Sequence, residues 1–329
     1  MRFKTCFFSF FFMVVSRGST FFDESCVVPP LACPNVNISF WLYTRANEKT
    51  PRELNVSNSS SITSTLWVKD APIKILIHGY TGSRDYSPNV ELRPAYIECC
   101  DYNIISVDYN KIALEPCYMQ AASNTELVGM CTAQLIDELI EKNGFQMSQF
   151  HIIGFSLGGQ VAGYIANYIK SGKLERISGL DPALPMFATK DKMKKLDADD
   201  AFYVDVLHSN SLEKGKLELS GKSDFYANGG VKQPGCKSTK NQTESGCAHV
   251  RAVKYFAESI LTKKGFYATK CYSWITYMMG WCEFMYTDEE VLYGEYISRN
   301  VTGTYFFTTN SESPYARGSR NSGRFKTTP

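Results

Sequence analysis

Along this chain, compact apolar runs alternate with longer stretches whose apolar positions recur at helical spacing. The runs VNISFWLYT (Val36 to Thr44), IKILIHGY (Ile73 to Tyr80), NIISVDY (Asn103 to Tyr109), RISGLD (Arg176 to Asp181) and AFYVDVLHS, with His208 near its end, read as strands. Asn89 to Cys99 reads as a helix, and Met119 to Lys142 as a long one carrying Leu127, Cys131, Leu135 and Leu139 at four-residue steps, with Ile136 and Ile140 beside them. That stripe is core packing rather than a ligand-binding face. Val250 to Leu261 is a further amphipathic helix, and Arg45 to Ser64, rich in Asn and Ser, a polar surface loop. Strand and helix in alternation predict an α/β fold, a mostly parallel sheet covered by helices on both faces, with functional groups at the strands' C-terminal ends. No internal repeat and no second domain boundary interrupts the pattern.

One stretch carries the chemistry. In HIIGFSLGGQVAGYIANYIK, His151 to Lys170, a short strand turns directly into a helix whose apolar residues recur at Leu157, Val161, Ile165 and Ile169, and Ser156 stands at the corner. A side chain there is forced outward on a strained backbone, so the positions two before and two after must be bare. Gly154 and Gly158 supply this, and Gly159, Ala162, Gly163 and Ala166 keep the helix thin enough to lie close on a sheet. A bare G-x-S-x-G arises often by chance; the strand before it and the helix after it make Ser156 a nucleophile candidate.

Such a serine needs a base and a carboxylate to hold that base. The chain has four histidines, His78, His151, His208 and His249. In the order nucleophile, acid, histidine, only His208 and His249 lie late enough. His208 ends an apolar run and reads as structural. His249, two residues after Cys247 and just before the helix from Val250, reads as a base at a loop tip. Asp181 ends a strand before Pro182 and is the candidate acid, with Asp205 as its structural competitor. Two backbone N–H groups would hold an oxyanion: Leu157, at the helix N-terminus, and Tyr80, in the loop after an earlier strand.

Composition narrows the class. A chain of 329 residues, 44% hydrophobic, can bury a large core, and a net charge of +2 supplies no field to steer it to nucleic acid. Arg2 and Lys4 precede an apolar run from Cys6 to Val15, too short to span a bilayer and followed by Ser16-Arg17-Gly18. This predicts a signal peptide over 1–18, a folded domain over 26–316 and a short basic tail over 317–329. With Cys6 removed, ten of the 11 cysteines remain, an even set without the paired Cys-x-x-Cys of a zinc site. Disulfides in an exported protein are the better reading, and no metal is expected. Asn37, Asn55, Asn58, Asn241 and Asn300 are N-x-S/T glycosylation candidates.

The motifs IHGY, NIISVDY, HIIGFSLGGQVAG, GLDPALPMF, DFYANGG, PGC and CAHVRAVKYF, in this order, resemble the pancreatic-lipase family, and especially its insect members, which include neutral lipases and wasp-venom phospholipases A1. The match runs from about Val36 to Ser313. It implies the α/β-hydrolase fold and a triad of Ser156, Asp181 and His249, the same three residues that the physical argument selects. The chain departs at Phe155, where the family often has His, and at Tyr80, where it often has Phe.

Further implications concern substrate. Vertebrate members carry a C-terminal β-sandwich that engages colipase or lipid, whereas here the resemblance ends near Ser313, so no colipase partner is expected. The family's lid corresponds to KSTKNQTESG, ten residues between Cys236 and Cys247 without one large apolar side chain. The stretch between His208 and Asp224 is also short, so the cleft should be open and its rim polar. The resulting expectation is a secreted, monomeric, cofactor-free serine esterase acting at a lipid surface, most simply a phospholipase A1. A triacylglycerol lipase is the alternative, and a non-catalytic yolk-type lipid binder the remote one. Disulfides are expected for Cys236 with Cys247, which would close the lid, then Cys117 with Cys131 and Cys271 with Cys282. Cys26 and Cys33 would pair with Cys99 and Cys100 in an order left open.

Overall fold

The computed structural model describes residues 26–63, 67–282 and 290–320. The expected signal peptide, Cys6 with it, and the tail beyond residue 320 lie outside them. In chain order the elements are β1 (Ser39–Tyr43), β2 (Arg52–Leu54), α1 (Ser59–Ile62), β3 (Ile73–Ile77), α2 (Asn89–Cys99), β4 (Asn103–Asp108), α3 (Tyr118–Asn143), β5 (Phe150–Phe155) and α4 (Leu157–Tyr168). They continue with β6 (Leu174–Leu180), β7 (Ala201–His208), β8 (Ser223–Ala227), α5 (Glu244–Leu261), β9 (Phe266–Lys270), α6 (Trp274–Met278), β10 (Glu290–Tyr293) and β11 (Gly303–Phe307). The polar stretch expected to be a loop, Arg45 to Ser64, contains β2 and α1. Three residues of β2 pair with β1 at the sheet edge, where a polar strand meets water on its open side and needs no apolar pattern.

Among the described residues the sheet has the order β10-β9-β11-β8-β7-β6-β5-β3-β4-β1-β2. From β11 to β4 neighbouring strands are parallel, and β1 and β2 at one edge and β9 and β10 at the other run antiparallel. This is the α/β-hydrolase fold. The order reverses between β3 and β5, where β4 lies on one side and β6 to β8 on the other. Loops after those two strands therefore part, and a crevice opens at their C-terminal ends.

Alternation along the strands builds two cores. Ile73, Ile75 and Ile77 of β3 and Ile152 of β5 face α3 and α4, meeting Leu127, Leu135, Leu139, Val161 and Ile165. Leu76 and Ile153, one residue out of phase, face α2 and α5, meeting Tyr96, Val253 and Phe256. The four-residue stripe on α3 is thus core.

The cysteines correct part of the expected pairing. Cys236–Cys247 and Cys271–Cys282 bond as expected, but Cys117 and Cys131 do not bond each other. Cys117 caps the N-terminus of α3 and Cys131 lies some fourteen residues down the same helix, about 20 Å along its axis, whereas a disulfide spans under about 7 Å. They bond instead to Cys26 and Cys33, tying the N-terminal segment to α3. Cys33 belongs with the core under α3, and Cys99 packs on the opposite face, so the expected pairing of Cys26 and Cys33 with Cys99 and Cys100 would have to cross the sheet. Cys99 and Cys100 bond each other. Of the sequon asparagines, Asn55, Asn58, Asn241 and Asn300 are exposed, while Asn37 is half-buried with its amide donating to Asn35 Oδ1.

A polar layer under the α2 and α5 face was not legible in the strands. Lys74, His151 and Arg176 sit side by side across β3, β5 and β6. Lys74 Nζ donates to His151 Nδ1 (3.1 Å) and to Glu295 Oε1 (2.5 Å), and Tyr96 OH donates to Glu295 Oε2 (2.6 Å). With Nδ1 accepting, His151 donates from Nε2 to Ser178 Oγ (2.8 Å), which donates to Asp205 Oδ2 (2.9 Å). Arg176 closes the circuit on Asp205 Oδ1 (2.8 Å) and the Glu295 carbonyl (2.7 Å). Two buried cations and two buried anions cancel, so every charge has a partner.

Burial, and then the nearby Arg176 and Lys74 cations, hold the His151 imidazole well below its usual value. It stays neutral where the unfolded chain takes up a proton, so the unfolded state binds more protons below about pH 6.5. The sign is a loss of stability, approaching about 1.4 kcal/mol per pH unit for this one group, as pH falls from there. His151→Gln should cost about 1–3 kcal/mol near pH 8 and flatten the acid limb between about pH 6.5 and 5. Denaturant melts across that range measure both, and an unchanged acid limb would remove His151 from this role.

Candidate active site

The corner at Ser156 is set by how closely α4 approaches the sheet. A Cβ on Gly158 would stand 2.2 Å from the Ile77 carbonyl oxygen, and one on Gly154 2.1 Å from the Gly158 carbonyl oxygen. With both bare, β5 turns into α4 within one residue, and Ser156 adopts φ 56°, ψ −120°. That left-handed backbone is strained for a serine and is held by Ser156 N–H donating to the Leu180 carbonyl (3.1 Å) and Ala183 N–H to the Ser156 carbonyl (3.1 Å).

Asp181 follows β6 at φ 48°, fully buried. Its Oδ1 accepts from Ser209 N–H (2.8 Å) and Asn210 N–H (3.1 Å), and its Oδ2 from Asn210 N–H (3.1 Å) and from His249 Nδ1 (2.5 Å). The loop after β7 is therefore a cradle for this carboxylate, and its closing turn leaves no room for a side chain at Gly215, whose Cβ would lie 2.3 Å from Oδ1. Sequence reasoning missed Ser209, Asn210 and Gly215. Backbone donors and a bare turn carry no side-chain signal.

His249 departs from expectation in its setting. It lies within α5, which begins at Glu244, capped by Thr243 Oγ1 accepting from Gly246 N–H (2.9 Å). The apolar period starts only at Val250, and so it hid the first helical turn. A base on a helix is held more firmly than one at a loop tip. The Phe155 ring packs against the imidazole, centroids 4.6 Å apart, beside Ser156. No hydrogen bond joins the Ser156 hydroxyl to His249 or to any other described residue.

Hydrogen-bond use separates the four histidines. His78 takes the Tyr109 N–H at Nε2 (3.1 Å) and so donates from Nδ1 to the Gly79 carbonyl (2.8 Å). His151 is spent in the buried layer. His208 spends both nitrogens, on the Lys216 carbonyl (2.7 Å) and Asp224 Oδ1 (2.8 Å), and stacks on Tyr226. Asp205, the competing acid, is bound by Arg176 and Ser178. His249 alone keeps a ring nitrogen, Nε2, without a partner among the described residues.

The loop after β3 reaches the serine. A Cβ on Gly79 would lie 2.7 Å from Ser156 Cβ, so this backbone passes directly over the corner. His78 grips the Gly79 carbonyl, Tyr109 OH donates to the His78 carbonyl (2.6 Å), and Thr81 N–H donates to Ala113 (2.9 Å). The N–H groups of Tyr80 and Leu157 donate to no described residue. Leu157 opens α4, where first-turn donors are unpaired by geometry and the helix dipole favours negative charge.

The mouth is two-sided. The lid stretch Lys237 to Gly246 is polar and mostly exposed as expected, although its last three residues form the first turn of α5. The expected polar rim holds on the lid side only. Leu114 (48% exposed), Met119 (42%) and Met186 (55%) flank Tyr118, whose hydroxyl donates to the Pro185 carbonyl (3.1 Å) and whose ring meets that of Tyr80. Leu212 (58% exposed) stands on the cradle loop. Met186 and Leu212 both have positive φ, 73° and 72°, so the loops hold these side chains outward at a backbone cost.

A family model described as Lipase matches residues 21–315. Human pancreatic lipase-related protein 3 is 32% identical over 323 residues, 90% of this chain and 68% of that protein. Human inactive pancreatic lipase-related protein 1 is 32% identical over 274 residues, covering 77% and 58%. The pancreatic triacylglycerol lipase of Myocastor coypus is 32% identical over 274 residues, covering 78% and 59%. The chain thus spans between 58% and 68% of the length of these relatives.

Gly79→Ala tests the contact between loop and corner. Its methyl group must displace either Ser156 or the Tyr80 peptide, so labelling of Ser156 by a fluorophosphonate should slow about 10²- to 10³-fold, as when one oxyanion donor is lost. A thermal melt separates displacement from unfolding. Labelling at the parental rate would show that the loop does not bear on Ser156.

Proposed function

The chain belongs to the lipase family, and from that footing we propose that it is a secreted serine hydrolase of lipid esters, with Ser156, His249 and Asp181 as its catalytic residues. One observation carries this reading: among the described residues His249 is the histidine with a ring nitrogen that has no partner, and its other nitrogen is bound to the buried carboxylate of Asp181, which follows Leu180, whose carbonyl accepts the N–H of the strained Ser156.

Ser156 Oγ attacks the ester carbonyl as its proton passes to His249 Nε2. Asp181 fixes the tautomer by taking the Nδ1 proton in a hydrogen bond and stabilises the imidazolium that forms. The N–H groups of Tyr80 and Leu157 receive the oxyanion. His249 then returns the proton to the departing alcohol, leaving an acyl-serine, and water activated by the same base releases the fatty acid. No cofactor takes part.

The preferred substrate is a phospholipid, cleaved at its first acyl position. The polar lid supports this, because a segment without large apolar side chains has no face with which to seal the cleft in water and spread on lipid. Little interfacial activation should follow. A triacylglycerol lipase is favoured instead by the apolar rim of Leu114, Met119 and Met186 and by the similarity to a protein of that name. An inactive relative supports a non-catalytic reading, against which stand all three side chains here.

Purified protein and its Ser156→Ala variant on phosphatidylcholine with different acyl chains at its two positions, and on a triglyceride, separate these. Release from the first position only, lost about 10⁴- to 10⁶-fold in the variant, is expected. Triglyceride cleavage alone, or a jump in rate at the solubility limit, would overturn the phospholipase reading, and no release from either lipid would overturn the enzyme.

A further inference from the structure

The segment from Tyr272 to Trp281 contains no charged residue and is closed by the Cys271–Cys282 disulfide. Its short helix α6 is held to the body from one side. Trp274 Nε1–H donates to the Gly229 carbonyl (2.9 Å), Tyr277 stacks on Phe306 with centroids 4.0 Å apart, and Cys271 N–H donates to the Thr304 carbonyl (2.9 Å). Those contacts fasten the helix. The remaining large side chains face water: Tyr272 is 79% exposed, Ile275 60%, Met278 60%, Met279 57% and Trp281 54%. Five such groups within ten residues form an apolar patch that folding does not require and that water disfavours.

The contrast with the lid sharpens this. Cys236–Cys247 closes a loop of the same sequence separation, 11, and fills it with polar residues. The chain thus carries two equal clasps of opposite character.

The apolar clasp leaves β9 beside Thr304, near the start of β11, and reaches through Trp274 along the sheet to the end that carries the site. Gly229 follows the C-terminal end of β8, and Ser211 N–H donates to the Gly230 carbonyl (2.8 Å). Ser211 adjoins Asn210, which holds Asp181, and Leu212, which is exposed. Two hydrogen bonds therefore link Trp274 of α6 to the acid's cradle.

We infer that the Tyr272–Trp281 clasp is an anchor for a phospholipid surface, resting on the lipid-hydrolase reading of the site. Trp and Tyr pair an apolar body with a polar tip and suit the boundary between head groups and acyl chains, and Met adapts to disordered chains. The disulfide keeps the helix shaped before contact, so little ordering remains to oppose binding. A protein partner or a second copy is a poorer occupant. Five partly exposed side chains present roughly a few hundred Å², short of the ~800 Å² per partner of a stable interface.

The test uses the full chain carrying Ser156→Ala, so that lipid is not consumed, with and without Ile275→Ser, Met278→Ser and Trp281→Ser together. Co-sedimentation with phosphatidylcholine vesicles should fall at least tenfold in the triple variant. In the active background, hydrolysis of a monomeric short-chain ester should stay within twofold of the parent, while the apparent KM on vesicles rises and kcat holds. If the triple variant fails to fold, Trp281→Phe replaces it, and the blue shift of tryptophan emission on adding vesicles should shrink. Equal vesicle binding overturns the anchor, as does an unshifted emission or a variant that changes only the oligomeric mass. Loss of monomeric-ester hydrolysis in the parent would sink the hydrolase reading instead, and vesicle binding would still judge the anchor by itself.

Discussion

The close approach of α4 to the sheet is the constraint on which the rest of this structure depends. Because nothing projects from residues 154 and 158, the helix begins against the Ile77 carbonyl, and the strand has one residue in which to reverse direction. That residue takes a left-handed backbone, and its side chain lies under the Gly79 backbone. The same geometry puts at the start of a helix an N–H, that of Leu157, with no partner among the described residues. It also brings the loop after β3 within contact of the serine, because β3 and β5 are neighbours at the point where the strand order reverses.

Hydrogen-bond saturation then assigns roles that residue type cannot. Three of the four histidines have both ring nitrogens occupied: one fixes the loop that carries Tyr80, one joins a buried ring of charges, and one bonds to Asp224. A histidine so bound cannot exchange a proton without breaking a buried contact. Among the described residues His249 is held through one nitrogen only, and the cradle that grips its partner Asp181 is made of backbone donors, which neither titrate nor rotate away.

The mouth of the cleft divides by chemistry. Polar lid residues stand on the His249 side. Leu114, Met119 and Met186 stand by Tyr118 and Tyr80, on the side of the oxyanion loop. One wall of the mouth is thus polar and the other apolar.

Most of the fold was legible in the chain. Apolar period and Gly spacing located the strands, α3 and the corner at Ser156, since those signals are local and each residue reports its own neighbours. Asp181 and His249 were reachable because chain order and a strand end narrowed the choice. Four features were not legible. The alignment of Lys74, His151 and Arg176 depends on register between strands far apart in sequence, and so do the partners of Cys26 and Cys33. The cradle of Asp181 is built from main-chain N–H groups that every residue possesses. Which histidine stays free is decided by how all the others are used, a property of the folded whole that no stretch of sequence contains.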